Sequence, residues 1–279
     1  MTDDAPEGLP EEIAPLLVLA AGQRCGSTLV QRLLCSHPRV RIWGEHVGQL
    51  RPVLVAGQRL RRWTESSGHA GRNELADSGY QGFIANVTPE RSEIDEACTS
   101  FIETLFAAPA RNAGRPIWGF KEVRYGLSDV LLLRELFPRL RVVLVVRDPR
   151  AVLSSLDEWE RLGGWTRIDT EASVRNWLSV AGSFSAVATD AHLRSFILLV
   201  RYEDLVPFRQ AWTMSIAQHC GLDQARLDMS VFERRVHTAG MRGRRDRQLR
   251  GWAELPAELR SLLDGEELRT VASAYGYDL

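Results

Sequence analysis

The sequence predicts an α/β fold, a parallel sheet flanked by helices, and three observations carry that prediction. Apolar runs alternate along the chain with segments of helical periodicity. The run Arg141 to Val146 (RVVLVV) is apolar without a break after its first residue, as a strand buried on both faces of a parallel sheet should be. Leu16 to Leu34 reads as buried strand, tight turn and helix in direct succession.

Composition bounds the rest. With 279 residues, 44% hydrophobic and 25% charged, the chain has the balance of an ordinary globular protein, which excludes disorder and fibrous architectures. Its formal net charge of −1 argues against wholesale nucleic-acid or membrane-surface binding, so any anion site must be local. Arginine is concentrated locally between Arg242 and Arg250. The cysteines Cys25, Cys35, Cys98 and Cys220 are scattered, with no spacing suited to zinc, and are expected to be reduced thiols. No bound metal is expected. No apolar run reaches the roughly 18 residues that would span a bilayer. The start, MTDDAPEGLPEE, is acidic where a signal peptide would be basic, so a cytoplasmic location is expected.

Taken in order, residues 1–12 are expected to be a flexible tail and residues 13–279 a single domain. Leu16 to Ala21 is the first strand. Gly22 and Gly26 mark a turn, and Ser27 to Cys35 places Leu29, Val30, Leu33 and Leu34 on one helical face. Val47 to Trp63 is expected to be helical, and Thr64 to Gly82, rich in Gly, Ser, Asn and Asp, a surface loop. Further helices are expected over Ile94 to Ala108 and over Ser128 to Phe137, which Pro138 closes. Ile117 to Lys121, Arg141 to Val146 and Phe196 to Val200 are the remaining strands. Pro149 starts a helix, and helical segments fill Glu171 to Ala191, Pro207 to Gly221 and Pro256 to Ala274.

The turn GQRCGST between strand and helix is a geometry in which backbone N–H groups and a helix N-terminus converge on an anion. The kinase-type pattern G-x-x-x-x-G-K-[ST] is not met, because Gly22 and Gly26 are too close and Ser27 stands where lysine belongs. Arg24 would supply the cation. Ser27 can also be read as a plain helix cap.

GQRCGSTLVQRLLCSHPRVRIWGEH resembles the 5′-phosphosulfate-binding segment of sulfotransferases that use 3′-phosphoadenosine 5′-phosphosulfate (PAPS). The similarity is greatest to the tyrosylprotein branch and its bacterial relatives. The resemblance implies the sulfotransferase fold and a donor phosphate site at Arg24, Cys25, Gly26, Ser27 and Thr28. RVVLVVRDPRAVLSS is similar to the family's 3′-phosphate segment, which implies that role for Arg147 and Ser155. WGFKEVRYG resembles the short strand bearing a catalytic lysine, here Lys121, and VRYEDLV the segment whose tyrosine borders the adenine, here Tyr202. MRGRRDRQLRGWAEL looks like the family's basic C-terminal loop, which implies Arg242, Gly243 and Arg244.

The implied reaction moves a sulfuryl group from PAPS to a hydroxyl of a small molecule or peptide, leaving adenosine 3′,5′-bisphosphate. Such a transfer rests on positioning and electrostatics, with Arg24 and Lys121 placed to offset charge on the transferring group. The candidate general base is Glu45, with His46 beside it as the alternative. Two other functions stay open for the sequence, a kinase of the P-loop type and a nucleotide-binding module without turnover. Plainer roles also exist for single residues: Lys121 pairing with Glu122, Arg147 with Asp148, and Tyr202 as a core aromatic.

Overall fold

The computed structural model describes residues 15–161, 169–233 and 250–279. Five parallel strands form one sheet in the order β2-β3-β1-β4-β5. They are β1 (Leu16–Ala20), β2 (Val40–Trp43), β3 (Ile117–Glu122), β4 (Arg141–Val146) and β5 (Ile197–Arg201). β1 and β3 are buried along their whole length, and β4 along all but Arg141. Each fully buried Val or Leu there contributes about 1.5–3 kcal/mol relative to exposure, which forces these runs to the middle of the sheet.

The strand β2 was not anticipated. Its four residues alternate, with Val40 and Ile42 buried and Arg41 and Trp43 half-buried. That is the pattern of an edge strand with one covered face, and it is too short to stand out in sequence.

The helix α1 (Ser27–Ser36) links β1 to β2 and buries Val30, Leu33 and Leu34. Between β2 and β3 lie α2 (Arg51–Trp63), α3 (His69–Ser78), α4 (Arg91–Ile102) and α5 (Ala108–Asn112). A π-helical turn, Thr64–Gly68, joins α2 to α3, so the expected surface loop over Thr64 to Gly82 is helical as far as Ser78. Tertiary contacts override the weak helix propensity of its Gly and Ser residues. The buried Thr64 hydroxyl donates to the Pro89 carbonyl, and Arg72 donates to Thr64 Oγ1 at 2.7 Å and to the Thr88 carbonyl at 3.0 Å. Gly68 and Gly71 are small enough for residues 86–88 to run against them.

After β3 come α6 (Leu127–Leu136), then β4, α7 (Pro149–Arg161), α8 (Thr170–Ser183) and the short α9 (Ala191–Arg194) ahead of β5. Pro149 does open α7, and Asp148 Oδ1 accepts the Arg150 N–H at 2.8 Å to cap it. The chain continues through α10 (Tyr202–Leu205) and α11 (Arg209–His219). The expected helix over Pro256 to Ala274 is two, α12 (Ala257–Ser261) and α13 (Glu266–Ala274), parted around Gly265. The buried apolar side chains form one contiguous cluster on both faces of the sheet. Among the described residues no helix is long and apolar enough to cross a membrane.

Candidate active site at the carboxyl ends of the strands

Every candidate site residue among the described ones lies near the carboxyl end of a strand, in the segment that follows it or on the helix after it. Arg24 to Thr28 follow β1, Glu45 and His46 follow β2, Lys121 lies near the end of β3, Arg147 and Ser155 follow β4, and Tyr202 follows β5. In an open parallel sheet this edge is the ligand-binding crevice, and β1, from which the chain turns first to one side and later to the other, is the switch point. Arg242, Gly243 and Arg244 lie outside the described residues.

The turn after β1 has an alternating backbone. φ is positive at Gly22 (85°), Arg24 (64°) and Gly26 (96°), and not at Gln23 or Cys25. Alternation of this kind bends successive N–H groups toward a common centre, the nest that binds anions. Ser27 is the first residue of α1 rather than its cap, which is Gly26. Cys25 Sγ donates to the Ala21 carbonyl at 3.0 Å, and burial pushes its thiol up to about 12, so its contribution to an anion site is its backbone.

One side of the turn is cationic and aromatic. Arg147 Nη1 donates to the Arg24 carbonyl at 2.9 Å, and Arg24 Nε donates to Ser155 Oγ at 3.0 Å. The Arg147 guanidinium carbon stands 4.5 Å from the centre of the Tyr202 ring, and that ring lies flush against Gly26. A Cβ on Gly26 would fall 2.3 Å from Tyr202 Cδ2. Arg147 Nε is buried with no hydrogen-bond partner among the described residues. Asp148 pairs with Arg150 instead of Arg147, which leaves Arg147 committed to the turn. Glu203 fastens this side: Oε1 accepts the Asp148 N–H at 3.0 Å and Oε2 the Tyr277 hydroxyl at 2.8 Å.

The other side, over β2 and β3, carries acids and bases. Lys121, only 6% exposed, donates from Nζ to Glu45 Oε1. Arg124 Nη1 reaches Glu45 Oε2 at 3.2 Å and Glu122 Oε1 at 3.3 Å. Glu122 is fully buried and accepts the Gly48 N–H at 2.7 Å and the Val123 N–H at 2.9 Å. Lys121 therefore pairs with Glu45 across the strands and not with Glu122, because neighbouring residues on a strand point to opposite faces. His46 sits among Phe106, Phe120 and Tyr125, with ring centres 4.9–5.9 Å away. Its ring nitrogens are buried with no hydrogen-bond partner among the described residues. Desolvation lowers its pKa, so the imidazole is neutral at pH 7.

Four residues of this site were not singled out from sequence. Glu122 and Arg124 stand in the run WGFKEVRYG beside Lys121, and strand alternation was the signal that would have separated their roles. Glu203, in VRYEDLV, gave no signal. Trp159 lies 4.8 Å from the Arg24 guanidinium carbon and backs the cation. Trp177 is buried, and its Nε1 donates to the Arg147 carbonyl at 3.0 Å.

Residues 15–226 match the model of a family described as the sulfotransferase family. The chain is 26% identical over 168 residues to the Caenorhabditis elegans protein-tyrosine sulfotransferase A, a stretch that covers 55% of this chain and 39% of that protein. Two solved structures share the fold. The sulfotransferase domain from the Synechococcus PCC 7002 olefin synthase has 19% identity and a TM-score of 0.53, covering 98% of each chain. The sulfotransferase domain from the curacin biosynthetic pathway has 17% identity and a TM-score of 0.51, covering 96% of this chain and 99% of that one.

Proposed function

The chain belongs to the sulfotransferase family, and from that premise we propose that it transfers a sulfuryl group from PAPS to an acceptor hydroxyl, with residues 13–279 as one catalytic domain. The observation that carries the choice of donor is the joining of two anion sites: Arg147 is bonded to the phosphate turn itself, with its Nε buried and unpartnered among the described residues. A donor phosphorylated at both 5′ and 3′ positions fits such a pair, whereas a nucleoside triphosphate has no group for the second.

In this proposal the N–H groups of Cys25 to Thr28 and Arg24 hold the 5′ end, Arg147 and Ser155 the 3′-phosphate, and the Tyr202 ring borders the base. Arg242, Gly243 and Arg244 would add cations to the 3′ side. The donor supplies an already activated sulfate. The chain supplies charge and position. Lys121 and Arg24 offset negative charge around the transferring group, in surroundings where burial strengthens the effect.

Glu45 takes the acceptor proton. It carries a carboxylate open to solvent, fixed at one oxygen by Lys121 and at the other by Arg124. His46 fits the role less well, since its nitrogens are shut inside an aromatic pocket. The acceptor is a small-molecule or peptide hydroxyl reaching Glu45 over β2 and β3. A screen would therefore pair tyrosine peptides, suggested by the Caenorhabditis elegans relative, with small alcohols and phenols. All four cysteines are unpaired, which supports a reducing compartment such as the cytoplasm.

Calorimetry tests the donor. Adenosine 3′,5′-bisphosphate is expected to bind without magnesium and far more tightly than ATP. Arg147→Ala, which removes a charged partner of the 3′-phosphate, is expected to weaken that binding about 10- to 100-fold. Unchanged affinity would remove Arg147 from the 3′ site, and preference for magnesium-ATP would favour a kinase.

A further inference from the structure

Glu45 sits at the start of the loop between β2 and α2, and the structure fixes that loop from β3 by a chain of charges. Glu122 is the anchor. Fully buried, it accepts the N–H of Gly48, a residue of the same loop, and the N–H of Val123, and it receives Arg124 Nη1 at 3.3 Å. The same Arg124 nitrogen lies 3.2 Å from Glu45 Oε2. Next to this anchor, Val47 holds φ at 57°, a strained conformation for a β-branched residue, which persists only when its surroundings dictate it. The Gly48 to Glu122 hydrogen bond is one such constraint.

We propose that Arg124 is a positioning residue for the reaction: bridging the buried Glu122 and the solvent-facing Glu45, it holds the Glu45 carboxylate aimed while Lys121 occupies the other oxygen. The inference rests on Glu45 being the base. It adds a division of labour between the two cations at Glu45. Lys121 is almost wholly buried, and as the transferring group gains charge it is the cation that can turn toward it. Arg124, fixed by Glu122, is the one that stays. One nitrogen, Arg124 Nη1, serves both carboxylates, so what the task needs is a single charged donor held at that place.

The test is a set of four variants, Arg124→Gln, Arg124→Lys, Glu45→Gln and the double Glu45→Gln/Arg124→Gln, with kcat and KM for the donor measured for each and adenosine 3′,5′-bisphosphate affinity as the check on folding. The groups facing Glu45 are Lys121 and Arg124, with Glu122 and His46 behind them. Arg124→Gln takes away the fixed cation and leaves Lys121 alone on the carboxylate. Its kcat at neutral pH is expected to fall about tenfold with KM for the donor unchanged, and Arg124→Lys is expected to restore most of the loss.

In the Glu45→Gln background, Arg124→Gln is expected to cost nothing more, because it acts through Glu45. A donor KM that rises as kcat falls, no recovery in Arg124→Lys, or losses that multiply in the double variant would overturn the proposal while leaving Glu45 as base. Full activity of Glu45→Gln would instead overturn the base assignment, and this inference with it. If Arg124→Gln does not fold, Arg124→Met, which keeps the apolar stem, gives the same kcat and KM measurement.

Discussion

Glu45→Gln is expected to lower kcat by about 10²- to 10⁴-fold, the usual worth of a general base, while leaving nucleotide affinity where it was. Glutamine keeps the size of the side chain and an oxygen for Lys121; its NH2 gives up the Arg124 contact, but the loop after β2 stays anchored by the Gly48 N–H on Glu122. What it loses is the ability to accept a proton. The second half of the expectation follows from the sheet: Glu45 belongs to the β2–β3 half, whereas Arg147, Ser155 and Tyr202 belong to the β4–β5 half, with β1 between them. Single-turnover transfer and calorimetry on the same preparation measure both. Equal transfer rates for variant and parent would leave the base role to another group.

Gly26→Ala is expected to damage stability and nucleotide binding together. Its φ of 96° disfavours any L side chain, at a cost of about 1–2 kcal/mol. The added Cβ would also fall 2.3 Å from the Tyr202 ring, and moving that ring costs about 1–3 kcal/mol more. Tyr202 cannot move alone, since Arg147 lies over it and Glu203 beside it is bonded to Asp148 and Tyr277. Denaturant unfolding should therefore show a loss of about 2–5 kcal/mol, and adenosine 3′,5′-bisphosphate binding should fall below detection. A variant of parental stability that still binds nucleotide would mean that the ring and the turn are not coupled as described.

The sequence was most legible where burial is two-sided. Leu16–Ala20 and Arg141–Val146 announce themselves because every residue but Arg141 is buried, and the helices after them are set by ordinary signals such as Pro149. Legibility failed where tertiary contacts decide. Nothing local in Thr64 to Ser78 says helix; Arg72 reaching the 88–89 backbone does. The edge strand Val40–Trp43 has only two inward side chains to advertise it.

The same division runs through the site. Arg24, Arg147, Ser155 and Tyr202 could be chosen because their motifs are fixed in spacing, and the structure does gather them around one turn. Lys121 and Glu45 could each be chosen, but not their ion pair, which depends on β2 lying beside β3. Arg124 and Glu122 were invisible for the same reason: their partners come from a loop more than seventy positions away in the chain.

The order of the strands has a consequence for how the protein comes into being. β1 takes as its neighbours β3 and β4, so Leu16 pairs with Gly119 and Arg141, both of which leave the ribosome long after it. Contacts this distant in sequence make folding slow. The turn after β1 is thus among the first parts of the described chain to be synthesised and among the last to be completed, because Gly26 meets Tyr202 only when the fifth strand has docked. Until then the nascent chain has the residues of the turn without the ring that closes against them.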